Sequence, residues 1–380
     1  MTKNLKFDLV YVTHDSLSEG IGMSQILPLL SNISRNGWDV CVISCEKDGI
    51  DSRVQEMLSK WSVTWRPIPF GRNGALGGLG RLIRLALNLP NGVVYHCRSD
   101  IAAVATAMRG KNFLWDVRGL WTDQKIVMKT ITNNKLITWL SLRLERIAAN
   151  RSCYVVTLTE RIRPVLEERY PKMTKEWSVI PTCTNLELFK LRQIKSDSLL
   201  LVLSGVYNDY YDLKMTKQFV SQFRLTNHLD VWWVHGKEAD KKELDVGEDV
   251  IFSVTQIEMP DVLSQSTFGL AFCKKDAGVS LRGVLPTKIA EFLATGRPVV
   301  VNEGIGDLDK IINEFNCGVI INDQSEILAG IEELKDLICD VDLSNRCRKA
   351  AEKYFDMSKA SLKYLEAYRN IQTRGTRSIK

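Results

Sequence analysis

Lys288 and Glu291 stand three residues apart inside LPTKIAEFLATGRPVVVNEGIGD, the stretch from Leu285 to Asp307. Pro286 before them and Gly296 after them punctuate a short helix. On a helical wheel Ile289, Phe292 and Leu293 form a narrow apolar stripe, while Thr287, Lys288, Glu291 and Thr295 share the other face. The helix follows the apolar strand FGLAFC. Its N-terminus therefore belongs at the carboxyl edge of a sheet, where open α/β sheets bind ligands. Free N–H groups at that end attract phosphate. Lys288 would add a point charge, and Glu291, one turn further in, suits a two-pronged grip on ribose hydroxyls. The plain alternative is a solvated i,i+3 ion pair contributing roughly 0.2–0.5 kcal/mol. The next strand ends in NEGIGD, where Gly304 and Gly306 let the backbone approach a ligand and Asp307 can cap the helix that follows. Two such turns on neighbouring strands favour a nucleotide-diphosphate site.

The elements that must position these residues repeat along the chain. FDLVYV (7–12), WDVCVIS (38–44), VTWRPI, VVYH (93–96), NFLWDV (112–117), CYVVTLT and WSVIP (177–181) read as strands separated by helical patterns. Pro28 should kink or restart the helix that ends at Gly37. IPTCTNLELFKLRQIKSDS (180–198) reads as a linker. The alternation then resumes with LLLVLSG, DVWWVHG, DVIFSV, FGLAFC, PVVVN and CGVII. Strands alternating with helices predict parallel sheets covered on both faces, here two doubly wound halves. The last sixty residues read as helices, with the tail RGTRSIK expected to lack structure.

Composition bounds the function. A chain of 380 residues exceeds the size one core usually serves. Its nine cysteines are odd in number and lack any CxxC, which argues against a disulfide framework or a zinc site and fits a reducing cytoplasm. No apolar run approaches a membrane span, and MTKNLKFDLV enters a strand directly instead of forming a signal peptide. Residues 1–190 carry 26 Lys/Arg against 17 Asp/Glu, a balance of +9, while the remainder carries 25 against 28, a balance of −3. A basic half suits an acidic partner or is an ordinary basic domain. The amphipathic GLGRLIRLALNL (78–89) sets Leu82, Ile83, Leu85, Ala86 and Leu89 on one side with Arg81 and Arg84 beside them. It reads either as a peripheral contact with anionic membrane or as a core-facing helix. Nucleic-acid binding is disfavoured, because no basic and aromatic residues interleave.

The segment PTKIAEFLATGRPVVVNEGIGDLD resembles the donor-binding signature of family-four retaining glycosyltransferases with the GT-B fold, and in particular a bacterial subgroup serving surface polysaccharide synthesis. EGIGMSQILPLL, YHCRSD (95–100), WDVRGLWTD (115–123), VVTLTERI, SVIPTCTNLELF, LSGVYNDYYDLKM (203–215) and IEMPDVLSQSTFGLAF (257–272) extend the resemblance in order along the chain. It implies two Rossmann-like domains facing across a cleft, an acceptor-side domain over 1–185 and a nucleotide-sugar domain over 186–355. Residues 356–380 would form a C-terminal helix crossing back to the first domain, followed by a basic tail. By the same resemblance Glu291 holds the nucleotide ribose, Thr287 and Lys288 approach the diphosphate, and Arg282 matches a basic position before them. Ser204 and Gly205 lie beside the phosphates, Gly20 and Gly22 near the donor diphosphate and the acceptor. His96 occupies a strand end facing the donor sugar, across the cleft from Glu291.

Two departures from the family pattern stand out. Gly283 occupies the position of a second glutamate, eight residues before Glu291, and VYNDYYDLK lacks the arginine found after the first donor-domain strand. The implied activity is transfer of a sugar from a UDP- or GDP-sugar to a glycan or lipid-linked acceptor with retained configuration. It needs no cofactor beyond this donor and no chelated metal. Positive charge at Lys288 and Arg282 would stabilise the departing diphosphate. The Asp307/Asp309 and Asp340/Asp342 pairs fit a helix start and surface charge better than metal ligation. His14 reads equally as structural or functional. Asp116, Arg118 and Asp123 read as a buried ion pair or as acceptor contacts. The implied place of action is the cytoplasm, with peripheral contact at the inner face of the membrane. Competing readings are a silent nucleotide-sugar-binding subunit and, with the upstream glutamate missing, a nucleotide-sugar epimerase.

Overall fold

The computed structural model describes residues 6–128, 135–193, 199–205, 207–234, 247 and 249–377. The chain divides into two compact units, one made of most of Met1–Ile180 together with Met357–Lys380, the other spanning Pro181–Asp356.

The first unit is built on a seven-stranded parallel sheet in the order β3-β2-β1-β4-β5-β6-β7. Its strands are β1 Phe7–Thr13, β2 Val40–Glu46, β3 Thr64–Pro69, β4 Gly92–Arg98, β5 Phe113–Val117, β6 Tyr154–Thr157 and β7 Trp177–Val179. The connecting helices are α1 Leu27–Arg35, α2 Ser52–Lys60, α3 Gly74–Asn88, α4 Asp100–Met108, α5 Trp121–Val127, α6 Lys135–Arg151 and α7 Arg163–Arg169. β2 and β5 are buried along their whole length, because helices cover both faces of the sheet. β3, with Pro67 and Pro69, takes the edge, where a missing N–H costs least.

The second unit carries six parallel strands in the order β10-β9-β8-β11-β12-β13. These are β8 Leu199–Ser204, β9 Leu229–Val234, β10 Val250–Phe252, β11 Phe268–Ala271, β12 Val299–Val301 and β13 Gly318–Ile320. Its helices are α8 Leu213–Thr226, α9 Met259–Gln265, α10 Thr287–Ala294, α11 Leu308–Phe315, α12 Ile327–Ile338 and α13 Leu343–Tyr354. The final helix, α14 Met357–Arg377, belongs to the first unit and packs on α1, β4 and β5. In each sheet the strand order reverses beside the unit's first strand, between β1 and β4 and between β8 and β11. The carboxyl ends there flank the crevice in which such sheets bind ligands.

Pro28 does restart its helix. Gly22–Ile26 is π-helical, Leu27 donates its N–H to the Gly22 carbonyl, and α1 begins with Pro28 in its first turn. A residue without an N–H is tolerated there and not a turn later. The expectation that RGTRSIK lacks structure is corrected: α14 runs on to Arg377. A single glycine among helix formers costs only about 1 kcal/mol, too little to stop it. Ser378–Lys380 and the linker residues 194–198 lie outside the described residues.

The outward reading of Arg81 and Arg84 is also corrected. Arg81 is buried, stacks on Phe70 with its guanidinium 4.0 Å from the ring centre, and donates to the Arg72 carbonyl at 2.8 Å. Arg84 donates to the Phe70 carbonyl at 2.9 Å. Both arginines tie α3 to the preceding loop, and Leu82, Leu85 and Ala86 face the core. Among the described residues no helix is long and apolar enough to cross a membrane.

Candidate active site

In the second unit, α10 starts at the carboxyl edge of the sheet but is no surface helix. Every residue from Lys288 to Ala294 is buried. A solvated Lys288–Glu291 pair is therefore excluded, and no ion pair within 4.0 Å joins the two. The Lys288 ammonium instead sits 4.2 Å from the ring centres of both Tyr207 and Tyr211. These tyrosines rise from the turn after β8, within VYNDYYDLK. Two π faces attract the ammonium, yet among the described residues its Nζ has no hydrogen-bond partner. Burial lowers the Lys288 pKa to about 7.

Gly205, at the end of β8, takes a left-handed conformation with φ +76°, and a Cβ built there would stand 3.7 Å from Lys288 Nζ. Next to it the Ser204 hydroxyl is buried and likewise unpartnered among the described residues. A buried donor without an acceptor is costly. Here an ammonium, a hydroxyl and the first-turn N–H groups of α10 border the β8/β11 switch point. A phosphate would satisfy them together through charge-assisted bonds.

Glu291 lies one turn inward from Lys288. Burial raises its pKa to about 7, against the opposing pull of the Gln256 hydrogen bond and of Lys288. Gln256 Nε2 donates to Oε1 at 2.9 Å, and no described group engages Oε2. Thr287 is half-buried in the first turn of α10. Arg282 lies near the end of the turn Lys275–Gly283 and is exposed. Asp307 makes no side-chain cap on α11; buried Asp309 accepts from Gly304 N at 3.3 Å and holds the glycine turn instead.

The first unit gathers polar groups at its own switch point. His14 and Asp15 follow β1; Arg98 ends β4 and Ser99 precedes α4. His14 Nδ1 lies 2.8 Å from Ser99 Oγ, and Arg98 Nε donates to Asp15 Oδ2 at 3.2 Å. Ser99 holds φ 80°, ψ 170°, a backbone region that a non-glycine residue occupies only under strain. Below this layer His96 is fully buried, with Nε2 3.2 Å from Asp116 Oδ2 and Nδ1 2.7 Å from Tyr368 Oη. Burial lowers the His96 pKa despite Asp116. Burial alone would raise Asp116, but Arg118, His96 and Arg98 hold it well below the usual carboxylate range. A neutral imidazole beside a carboxylate donates from Nε2 and accepts the Tyr368 hydroxyl at Nδ1. As placed, His96 offers no free ring nitrogen. Gly22 is buried, and a Cβ there would stand 2.4 Å from backbone atoms of Ser16 and Leu17; Gly20 is exposed, with open space beside it.

Residues 211–345 match the family model of the glucosyltransferase 3-like C-terminal domain. No curated protein sequence matches the chain. Among solved structures, sucrose-phosphate synthase from Thermosynechococcus elongatus superimposes with TM-score 0.73 at 13% identity, covering 96% of this chain and 99% of that one. HepE from Anabaena, in complex with UDP-glucose, gives TM-score 0.67 at 11% identity over 96% of this chain and all of its own, 100%. WaaG, a glycosyltransferase involved in lipopolysaccharide biosynthesis, gives 0.66 at 13% over 93% and 98%. The fold is that of GT-B glycosyltransferases.

Within the second GT-B domain the structure brings Lys288, Glu291, Ser204 and Gly205 to one switch point, joined by Tyr207, Tyr211 and Gln256. The tyrosines were visible only as an i,i+4 aromatic pair in VYNDYYDLK, outside any helix. Gln256 had no signal at all. In the first GT-B domain, Asp15, Arg98 and Ser99 were missed. Ser99 could not have been found, because its strain is a property of the backbone and not of its residue type.

Proposed function

We propose that the protein is a retaining glycosyltransferase that moves a sugar from a UDP- or GDP-sugar to a glycan or lipid-linked acceptor. The observation that carries this reading is the buried ammonium of Lys288 against two tyrosine rings, without a hydrogen-bond partner among the described residues, one turn from Glu291. Neutral ligands have no use for that arrangement; a nucleoside diphosphate fits both groups. The architecture shared with HepE, whose structure holds UDP-glucose, supports the same reading.

In this account Glu291, oriented by Gln256, accepts hydrogen bonds from the ribose. Lys288, Ser204, the N–H groups of Thr287 and Lys288, and the approach allowed at Gly205 hold the diphosphate, with Arg282 adding charge from the surface. As the bond from the sugar's anomeric carbon to the phosphate oxygen breaks, these groups stabilise the oxygen that departs with the electron pair. The acceptor hydroxyl attacks from the same face, and its proton passes to that oxygen. Gly20 and Gly22 line the loop beside the donor and acceptor. His96, with both nitrogens held, is a positioning residue that fixes Asp116 and, through it, Arg98. A role in surface polysaccharide synthesis and peripheral contact with anionic membrane, at the inner face of the cytoplasmic membrane, belong to the same proposal. The basic balance of the first 190 residues supports that contact.

Release of nucleoside diphosphate, measured with a panel of UDP- and GDP-sugars and glycan or lipid-linked acceptors, tests the reading. We expect acceptor-dependent release that Lys288→Met slows at least about a hundredfold, the scale of losing one positioned charge. Epimerised donor with no diphosphate released would make the protein an epimerase. Tight donor binding without either product would make it a silent binding subunit.

A further inference from the structure

Helix α6 is turned inside out for a helix of a soluble domain. Its buried residues are Ser141, Glu145, Ala148 and Ala149. Its large apolar residues point outward: Leu136 is 63% exposed, Trp139 51%, with Leu140, Leu142 and Ile147 exposed as well. The i, i+4, i+11 spacing of Leu136, Leu140 and Ile147 draws one apolar stripe along the outer face. Trp139, Arg143, Arg146 and Asn150, at i, i+4, i+7 and i+11, form the next stripe. The one acid of the helix, Glu145, is buried and accepts from Tyr170 at 2.9 Å.

Arg143, Arg146 and Arg151 are exposed, and among the described residues none has a carboxylate within 4.0 Å. Arg143 leans on the Trp139 ring, 4.9 Å from its centre. With Met108 at the end of α4, Ile147 and Asn150, the three arginines line a groove of about 430 Å³. α3 packs beside α4 in the same layer and exposes Leu76, Leu79, Ile83 and Leu87. Large apolar residues exposed on helices that flank α4 point to an interaction site. Uncompensated arginines, an interfacial tryptophan and a leucine stripe together match an anionic bilayer, whose phosphates meet the charges while the stripe enters the headgroup boundary.

We propose that the outer face of α6, with the groove it forms against the end of α4, docks on an anionic lipid bilayer. The inference deepens the peripheral contact proposed above and replaces Arg81 and Arg84 as its residues. It needs no sugar transfer, so its failure is distinguishable from failure of the glycosyltransferase reading, which nucleotide calorimetry without vesicles tests separately.

The test is co-sedimentation of the full chain with vesicles of phosphatidylglycerol and phosphatidylcholine, and with phosphatidylcholine alone, at low and high salt. We expect binding to anionic vesicles at low salt that falls steeply as salt rises. Arg143→Glu/Arg146→Glu should weaken it about tenfold or more. Trp139→Ser/Leu140→Ser should weaken what remains at high salt. All four positions are exposed, so the melting temperature of each variant should stay within a degree or two of the parent. Absence of anionic-vesicle binding, or binding unchanged in both variants, would overturn the proposal. Self-association lost in Trp139→Ser/Leu140→Ser, with no vesicle binding, would overturn it in favour of an interface between copies of the chain.

Discussion

Lys288 and Glu291 face opposite problems in one buried place. Burial moves the lysine from 10.5 down to about 7 and the glutamate from 4.5 up to about 7. Charged Lys288 thus costs the free protein stability below about pH 7, a cost relieved as pH rises toward 10.5; charged Glu291 costs stability above about 7, relieved as pH falls toward 4.5. In the proposed complex the diphosphate needs the ammonium and the ribose hydroxyls need the carboxylate. Binding must therefore take up a proton at Lys288 on the alkaline side and release one from Glu291 on the acid side. We predict a bell-shaped nucleotide affinity with its maximum near pH 7. Lys288→Met should flatten the alkaline limb and Glu291→Gln the acid limb, each with lower overall affinity. Calorimetry across roughly pH 5.5 to 8.5 checks it; an alkaline limb that persists in Lys288→Met would move the titration to another group. The residue types and their spacing were legible in the sequence. Their burial was not, because it comes from tyrosines folded over the lysine from another strand's turn.

At the scale of elements, Gly20 and Gly22 separate packing from function. Gly22, the first residue of the π-helical turn, lies where a Cβ would meet the backbone of Ser16 and Leu17 at 2.4 Å, and that preceding loop is anchored by buried Glu46, which accepts from Ser16 Oγ at 2.5 Å and Leu17 N at 3.1 Å. Gly22→Ala should destabilise the protein by about 1–3 kcal/mol. Gly20 has open space around it, so Gly20→Ala should leave thermal stability unchanged or slightly higher. Any loss of transfer in Gly20→Ala then reports the close approach of a ligand. A Gly20→Ala protein melting several degrees lower would show that this loop is packed differently. The strands were legible because sheets covered on both faces produce continuous apolar runs, as in β2 and β5. α6 shows the limit of that reading. KLITWLSLRLERIAANR reads as a helix, but which face turns inward depends on whether the neighbouring helices leave room for leucine or only for alanine and serine.

For the whole molecule, the C-terminal helix completes the first unit. Tyr364 and Tyr368 of α14 reach Asp116 and His96, the latter across 272 residues of sequence. No local pattern announces such a contact, which is why His96 read as a strand-end group open to a ligand and stands instead inside a closed network. Ligand chemistry was better marked at the second switch point, where turn glycines, a short punctuated helix and its two charges lie close in sequence. The account stands or falls on that site. Titration calorimetry of UDP and GDP, near pH 7 and without vesicles or acceptor, tests it most directly on the parent protein and Glu291→Ala. A carboxylate losing its ribose hydrogen bonds should cost on the order of 1.5–3 kcal/mol. The account predicts that one of the two nucleotides binds the parent and binds folded Glu291→Ala at least about tenfold more weakly; equal affinity in the two proteins, or no binding of either nucleotide to the parent, would contradict it.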